Sequence, residues 1–242
     1  MTRILFLSPA DIDLPEKVIP AGAADPDTEI IHRRVAYVSC PPIGAHDWTL
    51  ADLAVIAAGQ HAQADGFDAV CLADFGDYGA NALRSLLDIP VVTAGRAALL
   101  HALTLGTRFS VVSTERDYVR IKKIVHEYAL DAQCAGIHLL TPKTDMVALT
   151  ADAEVLVLAG EARNAKFDRV NVSIIDPLPL AVKLAESLVG LGLTHSRRAY
   201  PAPQTRKATL IKAIGSCRTV SLGQPVCNVN YEDDAFRDDR PK

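Results

Sequence analysis

Short apolar runs rich in β-branched residues alternate with segments of helical periodicity along most of the chain. Several runs are continuous rather than alternating, which is typical of parallel strands covered on both faces. The runs predict strands at residues 3–8, 34–39, 69–73, 90–93, 109–113, 136–140, 154–159 and 173–175. The periodic segments predict helices at residues 50–64, 81–87, 96–105, 116–130 and 179–191. This alternation predicts an α/β fold built of parallel βαβ units with right-handed crossovers.

A break near Gly106 divides the pattern into two α/β arrays. We expect a first domain at residues 1–105, to which residues 179–207 return, and a second domain at residues 106–178. Residues 208–242 are expected to form a C-terminal extension, with a hairpin turn at 222–225 and a frayed acidic tail.

Composition and charge narrow the classes of partner. The chain has 242 residues, 49% hydrophobic and 22% charged, and a net charge of −4, which gives no reason to expect a nucleic acid or an anionic membrane as partner. Its N-terminal apolar run is too short for a signal peptide, and no run is long enough to span a membrane. We therefore expect a cytoplasmic protein.

Cysteine and glycine spacing gives no indication of a bound cofactor. The five cysteines form no CxxC pair, and the histidines show no metal-ligand spacing. The glycines of the turn Gly76-Asp77-Tyr78-Gly79 do not match a phosphate loop or a dinucleotide fingerprint. The sequence predicts no metal and no cofactor.

The most informative segment is 66–92, GFDAVCLADFGDYGANALRSLLDIPVV. It predicts a buried strand, an acidic turn with two glycines, a short helix and a second buried strand. The turn lies at the carboxyl end of the first strand, where ligands bind in open α/β sheets. Asp74 in this turn can act as a general base, bind a cation or simply cap the helix that follows.

Three stretches resemble the aspartate/glutamate/hydantoin racemase superfamily, and hydantoin and allantoin racemases most closely. They are DAVCLADFGDYG, LDIPVVTAGRAALLHALTLGTRFSVVST and IDPLPLAVKLAESLVGLGLTHSRRAY, and the likeness runs from about residue 53 to residue 207. The resemblance implies two pseudo-symmetric, flavodoxin-like domains of parallel sheet with the substrate between them. It also implies a small carbonyl or carboxylate compound as substrate.

In that family a cysteine from each domain faces one side of the substrate carbon. Here the two cysteine positions fall on Asp74 and Gly160, and Ser8-Pro9-Ala10-Asp11 replaces the family's asparagine-rich loop. The links after residues 140 and 160 are short where family members place helices, so the second domain is expected to be trimmed. Because exposed apolar sheet needs cover, we expect this surface to meet either a partner subunit of a homo-oligomer or the C-terminal extension.

The candidate site residues follow the predicted strands. With Asp74 as base, the rest of its turn, Asp77, Tyr78 and Gly79, is expected to bind substrate. The resemblance implies that Ser113 and Thr114 hold the carbonyl oxygens, although helix capping explains both residues equally well. Glu161 is a candidate replacement acid and Arg163 a candidate anion clamp, whereas charged residues are also ordinary in loops after strands.

Cys40 follows the second predicted strand, six residues before His46. The two side chains form a candidate acid/base or nucleophilic couple if the loop reaches the same sheet edge, but an ordinary loop cysteine beside a surface histidine is the simpler interpretation.

Three functions remain open. The first is an isomerase or a lyase of decarboxylase type that transfers a proton beside the carbonyl of a hydantoin, ureide or dicarboxylate without two cysteines. The second is a relative that binds a ligand or serves as a scaffold without catalysis. The third is a hydrolase that uses Cys40 and His46.

Overall fold

The structure is a computed structural model that describes residues 1–9, 15–35, 44–114, 117–141, 144, 149–150, 153–165, 167 and 171–215. These residues form two four-stranded sheets in which every described pairing is parallel. The strands of the first sheet are β1 Thr2–Pro9, β2 Thr28–Val35, β3 Ala69–Leu72 and β4 Val91–Thr93. Those of the second are β5 Phe109–Ser113, β6 Cys134–Leu139, β7 Val155–Leu158 and β8 Ser173–Ile175.

The two sheets have the same topology. Their strand orders are β2-β1-β3-β4 and β6-β5-β7-β8, so each sheet places its first strand between its second and third. This repetition confirms the predicted α/β architecture of two similar parallel-sheet halves. In each half the strand order reverses beside the first strand, and such switch points are where crevices open at the carboxyl edge.

Seven described helices surround the sheets. They are α1 Pro15–Val18, α2 Ala45–Gly59, α3 Ala80–Leu86, α4 Ala94–Leu105, α5 Tyr118–Glu127, α6 Pro177–Gly190 and α7 Ala208–Gly215. A 3₁₀ helix, Gly160–Asn164, follows β7. Helix α6 begins with the Asp176 carboxylate accepting a hydrogen bond from the Leu178 amide, which satisfies one of the free amides at its first turn.

Alternation along the strands divides the core between the two faces of each sheet. In β1, Leu5 and Leu7 pack with the apolar sides of α2 and α3, whereas Ile4 and Phe6 pack with α6. Cys71 in β3 is fully buried on the α6 face, and burial raises the pKa of its thiol. This thiol is therefore a core group, as the continuous apolar run predicts.

The second sheet is covered unequally. One face packs against α4 and α5. The described residues on the other face are contributed by short segments, and they include Leu149, Ala162 and Phe167. Helix α6 follows β8 in the chain but packs on the first sheet.

Two predicted elements differ in position from the observed ones. The second strand, predicted at 34–39, ends at Val35 and begins at Thr28, while residues 36–39 lie outside the described part. The helix predicted at 50–64 runs from Ala45 to Gly59. In the extension, residues 208–215 form α7, whereas the predicted turn at 222–225 lies outside the described residues.

Candidate active site

The carboxyl edges of the two sheets meet at a buried ion-pair network. Asp74 follows β3, and Asp117 lies between β5 and α5. Arg120, in the first turn of α5, joins them: its Nη1 donates to Asp74 Oδ1 and Oδ2 at 2.8 and 3.0 Å, and its Nη2 donates to Asp117 Oδ1 at 2.5 Å. The three side chains are only 6–10% exposed. One guanidinium thus connects a carboxylate from each half of the molecule.

The absence of a side chain at Gly160 leaves room for the Asp117 carboxylate. The residue lies at the end of β7 in the left-handed region, with φ +54°, and a Cβ built on it would overlap Asp117 Oδ2. The Asp117 carboxylate therefore occupies the space of a side chain at position 160. A left-handed backbone also disfavours any residue other than glycine at this point.

The turn that carries Asp74 is held closely against Arg120. The Gly76 amide donates to Asp74 Oδ1 at 2.6 Å, and a Cβ on Gly76 would overlap both the Tyr78 ring and the Arg120 stem. Tyr78 is 2% exposed, and its ring centroid lies 6.0 Å from the Arg120 guanidinium carbon. The Gly79 amide donates to Asp52 Oδ1 at 2.6 Å. The hydrogen bonds from Gly76 and Arg120 fix the direction of the Asp74 carboxylate, and the other contacts hold the turn in place.

Asp77 in the same turn holds the start of α4. Its carboxylate accepts hydrogen bonds from the Gly95 and Arg96 amides at 3.0 and 2.9 Å and from the Tyr128 hydroxyl at 2.6 Å. Burial raises the pKa of Asp77 to about 6, and the hydrogen bond from Tyr128 opposes that rise. Asp77 therefore ties the acidic turn to α4 and to the end of α5.

Some of the other predicted site residues lie at the carboxyl edge of the second sheet, and others lie nearer the protein surface. Ser113 is fully buried, and its hydroxyl donates to the Thr114 carbonyl at 3.1 Å. The Thr114 hydroxyl lies 3.5 Å from Asp117 Oδ2, so Thr114 adjoins the network. Glu161 is exposed in the 3₁₀ helix. Arg163 pairs with Asp176 at 2.5 and 2.7 Å.

Of the predicted Cys40 and His46 couple, the structure describes only His46. Cys40 lies outside the described residues, and the His46 side chain is 77% exposed with its Nδ1 3.4 Å from Asp47 Oδ1.

Sequence reasoning missed Arg120 and the part played by Asp117. A signal for Arg120 was present, because it shares the buried side of α5 with Ile121, Ile124 and Val125. A charged residue in an apolar helical stripe needs a partner, and Asp117 precedes it by one helical turn.

The described residues show neither a metal-binding cluster nor a membrane-spanning helix. Within them, histidine, cysteine and acidic side chains form no group of three or more arranged to hold a metal ion. No described helix is both long and apolar enough to cross a membrane.

A sequence model of the Asp/Glu/hydantoin racemase family matches residues 17–175. The protein belongs to this family. A hydantoin racemase from Rhizobium meliloti is 28% identical over 189 residues, which cover 68% of this chain and 78% of the relative. The relatives that match this chain include hydantoin racemases from two bacteria. This family member is an enzyme of the racemase and isomerase type.

Solved structures agree with this assignment. The allantoin racemase from Klebsiella pneumoniae has a TM-score of 0.71 and 28% identity, with 85% of this chain and 95% of that one covered. Unliganded arylmalonate decarboxylase has a TM-score of 0.55 and 18% identity, with 78% of this chain and 93% of that one covered. The second likeness shows a shared fold only.

The network sets the chemistry available to this racemase-family site. Two carboxylates can accept and return protons, and a guanidinium can bind a carbonyl or enolate oxygen. All three groups are largely shielded from water. Electrostatic interactions are stronger in such an interior than in water.

Proposed function

We propose that this protein transfers a proton at a carbon atom beside a carbonyl group of a small hydantoin, ureide or dicarboxylate, with carboxylates rather than thiols as acid and base. Asp74 and Asp117 are the two proton-transfer groups, and Arg120 binds the carbonyl oxygen. The observation that carries the proposal is the Arg120 bridge between a carboxylate after β3 and a carboxylate after β5. This bridge supports the placement of one acid/base group in each half of the molecule.

The charges of the network bear on how the two carboxylates divide the roles of acid and base. Two ionised carboxylates and one guanidinium carry a net charge of −1, which is costly to bury. Proton transfer on both faces of a carbon requires one base and one acid, and we assign Asp74 as the base and Asp117 as the acid. Paired carboxylates in a confined site commonly divide their roles in this way.

The reaction begins when a substrate carbonyl oxygen replaces a carboxylate oxygen on Arg120. The released Asp74 carboxylate then takes the proton from the adjacent carbon, so the C–H bond breaks, an O–H bond forms and an enolate remains. Arg120 stabilises the negative charge on the enolate oxygen. Asp117 gives its proton to the opposite face of the carbon, and the product has inverted configuration.

The neighbouring groups would position the substrate. Thr114 adjoins Asp117, Ser113 donates to the Thr114 carbonyl, and the two residues can orient polar atoms of a ring or carboxylate. Asp77, Tyr78 and Gly79 hold the turn that carries Asp74. Glu161 and Arg163 lie on the 3₁₀ helix after β7, where they can contact a substrate that extends out of the cleft.

The same groups allow either of two outcomes. A substrate with a hydrogen on the reacting carbon would be racemised or isomerised. A malonate-like dicarboxylate would first lose carbon dioxide, and a single protonation of the enolate would complete a lyase reaction. The racemase relatives favour the first outcome.

Solvent deuterium exchange tests the proposal whichever of these products forms. The protein is incubated in D₂O with 5-substituted hydantoins, allantoin and substituted malonates, and proton NMR follows the hydrogen on the reacting carbon. We expect enzyme-dependent exchange, or decarboxylation with deuterium incorporation, for at least one compound. Hydrolysis without exchange would contradict the proposal.

A further inference from the structure

A second candidate binding site lies on the side of the first sheet away from α2, at its β4 edge. There α4 and α6 flank β4 and leave an open groove of about 320 Å³. Its apolar lining comes from Val91, Val92, Ala97 and, at the rim, the half-exposed Leu100 and Leu184. A groove of this volume accommodates a small organic molecule.

Two guanidiniums give the groove a positive end. Arg84 is 6% exposed, with Nε and Nη2 donating to the Val91 carbonyl at 3.3 and 3.1 Å and Nη1 donating to Asn81 Oδ1 at 3.1 Å, so its hydrogen-bond partners are all uncharged. Arg96 Nη1 donates to the Tyr200 hydroxyl at 3.2 Å. The Arg84 guanidinium carbon lies 5.5 Å from the centre of the Tyr200 ring, so both arginines meet at this residue.

This positive charge lacks an acidic partner in the described part of the chain. No described carboxylate lies within 4.0 Å of either guanidinium, whereas Arg120, Arg163 and Arg197 each pair with an aspartate. Asp77 acts on Arg84 from a greater distance, and its oxygens are already used by the α4 amides and Tyr128. A largely buried guanidinium without a close counter-ion favours an anionic ligand.

We propose that the groove binds a small amphipathic monocarboxylate, with its carboxylate at Arg84 and Arg96 and its apolar body along Val91, Val92 and Leu184. The bidentate geometry of arginine suits a carboxylate, and the apolar lining suits an aliphatic or aromatic body. The site is distinct from the Asp74 network. Binding in the groove therefore goes beyond the proposed function and does not depend on it.

Calorimetric titration of the full chain with hexanoate tests this site, and hexanamide is the matched neutral probe. Hexanoate should bind in the millimolar range and at least about tenfold more tightly than hexanamide, since only the carboxylate can pair with the arginines. Arg96→Gln and Leu184→Glu should each weaken hexanoate binding at least about tenfold, by removing a charge and by adding a repulsive one. Arg198→Gln, which changes an exposed arginine outside the groove, should leave it unchanged.

Asp74→Asn distinguishes binding in the groove from binding at the Asp74 network. Retained hexanoate binding in that variant places the ligand outside the network, whatever the result of the exchange assay. The proposal is overturned if no heat is detected up to about 20 mM hexanoate. Equal binding of hexanamide, wild-type binding by Arg96→Gln, or loss of binding in Asp74→Asn would also overturn it.

Discussion

Asp117 Oδ2 overlaps the space that a Cβ on Gly160 would need. Gly160 comes from the end of β7 and Asp117 from the start of α5, and Arg120 then ties Asp117 to Asp74. The missing side chain at 160 and the carboxylate at 117 are therefore parts of one arrangement. A change at either residue should disturb the whole network.

Gly160→Ala should destabilise the fold, because the new methyl group overlaps Asp117 and the backbone is left-handed. We expect a loss of about 2–4 kcal/mol in the free energy of unfolding, measured by urea denaturation. Gly192→Ala is the matched control, since Gly192 has φ +65° and no atom within 4 Å of a built Cβ. The control should lose only about 1 kcal/mol. Equal losses would show that Asp117 does not fill the space.

Arg120→Met should be costly because it leaves two buried carboxylates without their cation. The free energy of unfolding should fall by about 3–5 kcal/mol near neutral pH. Arg33→Met removes an exposed pair with Asp65 and a hydrogen bond to the Ala58 carbonyl, and it should cost no more than about 2 kcal/mol. Similar losses in the two variants would mean that the buried network is not a special source of stability.

Asp77 should make a pH-dependent contribution to stability. Burial raises the pKa of Asp77 to about 6 in the folded protein, so the folded state holds this proton more tightly than the unfolded chain does. The contribution is present below the unfolded pKa and is lost as pH rises through the folded value. The stability of the wild type relative to Asp77→Asn should therefore fall by about 2–3 kcal/mol from about pH 4 to about pH 7.

Tyr128→Phe tests whether the environment of Asp77 determines this pH dependence. Its hydroxyl donates to Asp77 and lowers the pKa of that carboxyl, so its removal should move the titration to higher pH. Denaturation series at several pH values would measure both effects. A flat difference between wild type and Asp77→Asn, or no shift in Tyr128→Phe, would contradict the assignment.

Arg197 should stabilise the end of α3. Its guanidinium donates to the carbonyls of Arg84, Ser85 and Leu87 and pairs with Asp88, so it satisfies carbonyls left free at the helix terminus. Arg197→Ala should lower the free energy of unfolding by about 1–3 kcal/mol. The neighbouring exposed Arg198→Ala should change it by less than about 0.5 kcal/mol. Equal effects of the two substitutions in thermal or urea unfolding would contradict this role.

Most of the architecture could be predicted because its signals are local. The apolar runs that form β3, β5 and β7 are fully buried, and each gives a strand close to its predicted position. Strand β2 was misplaced because it is an edge strand with the sequence TEIIHRRV, in which seven of eight residues stay partly or fully exposed. Its position depends on pairing with β1, which no local pattern records.

The site was predicted only in part for a similar reason. The acidic turn with Asp74 could be located because it follows a buried strand. The partnership of Asp74 with Arg120 joins residues 46 positions apart and depends on how the two sheets face each other. The role of Asp117 depends on the empty space at Gly160, which becomes visible only when β7 and α5 are placed together.

The most direct test compares single variants in the deuterium-exchange assay, with the substrate that the wild-type protein turns over. Asp74→Asn and Asp117→Asn should each lower the exchange rate at least about 100-fold, because each removes a proton-transfer group. Glu161→Gln should lose less than about tenfold, and the surface control Asp131→Asn should match the wild type. Wild-type exchange by Asp117→Asn, or abolished exchange in Glu161→Gln alone, would contradict the two-carboxylate site.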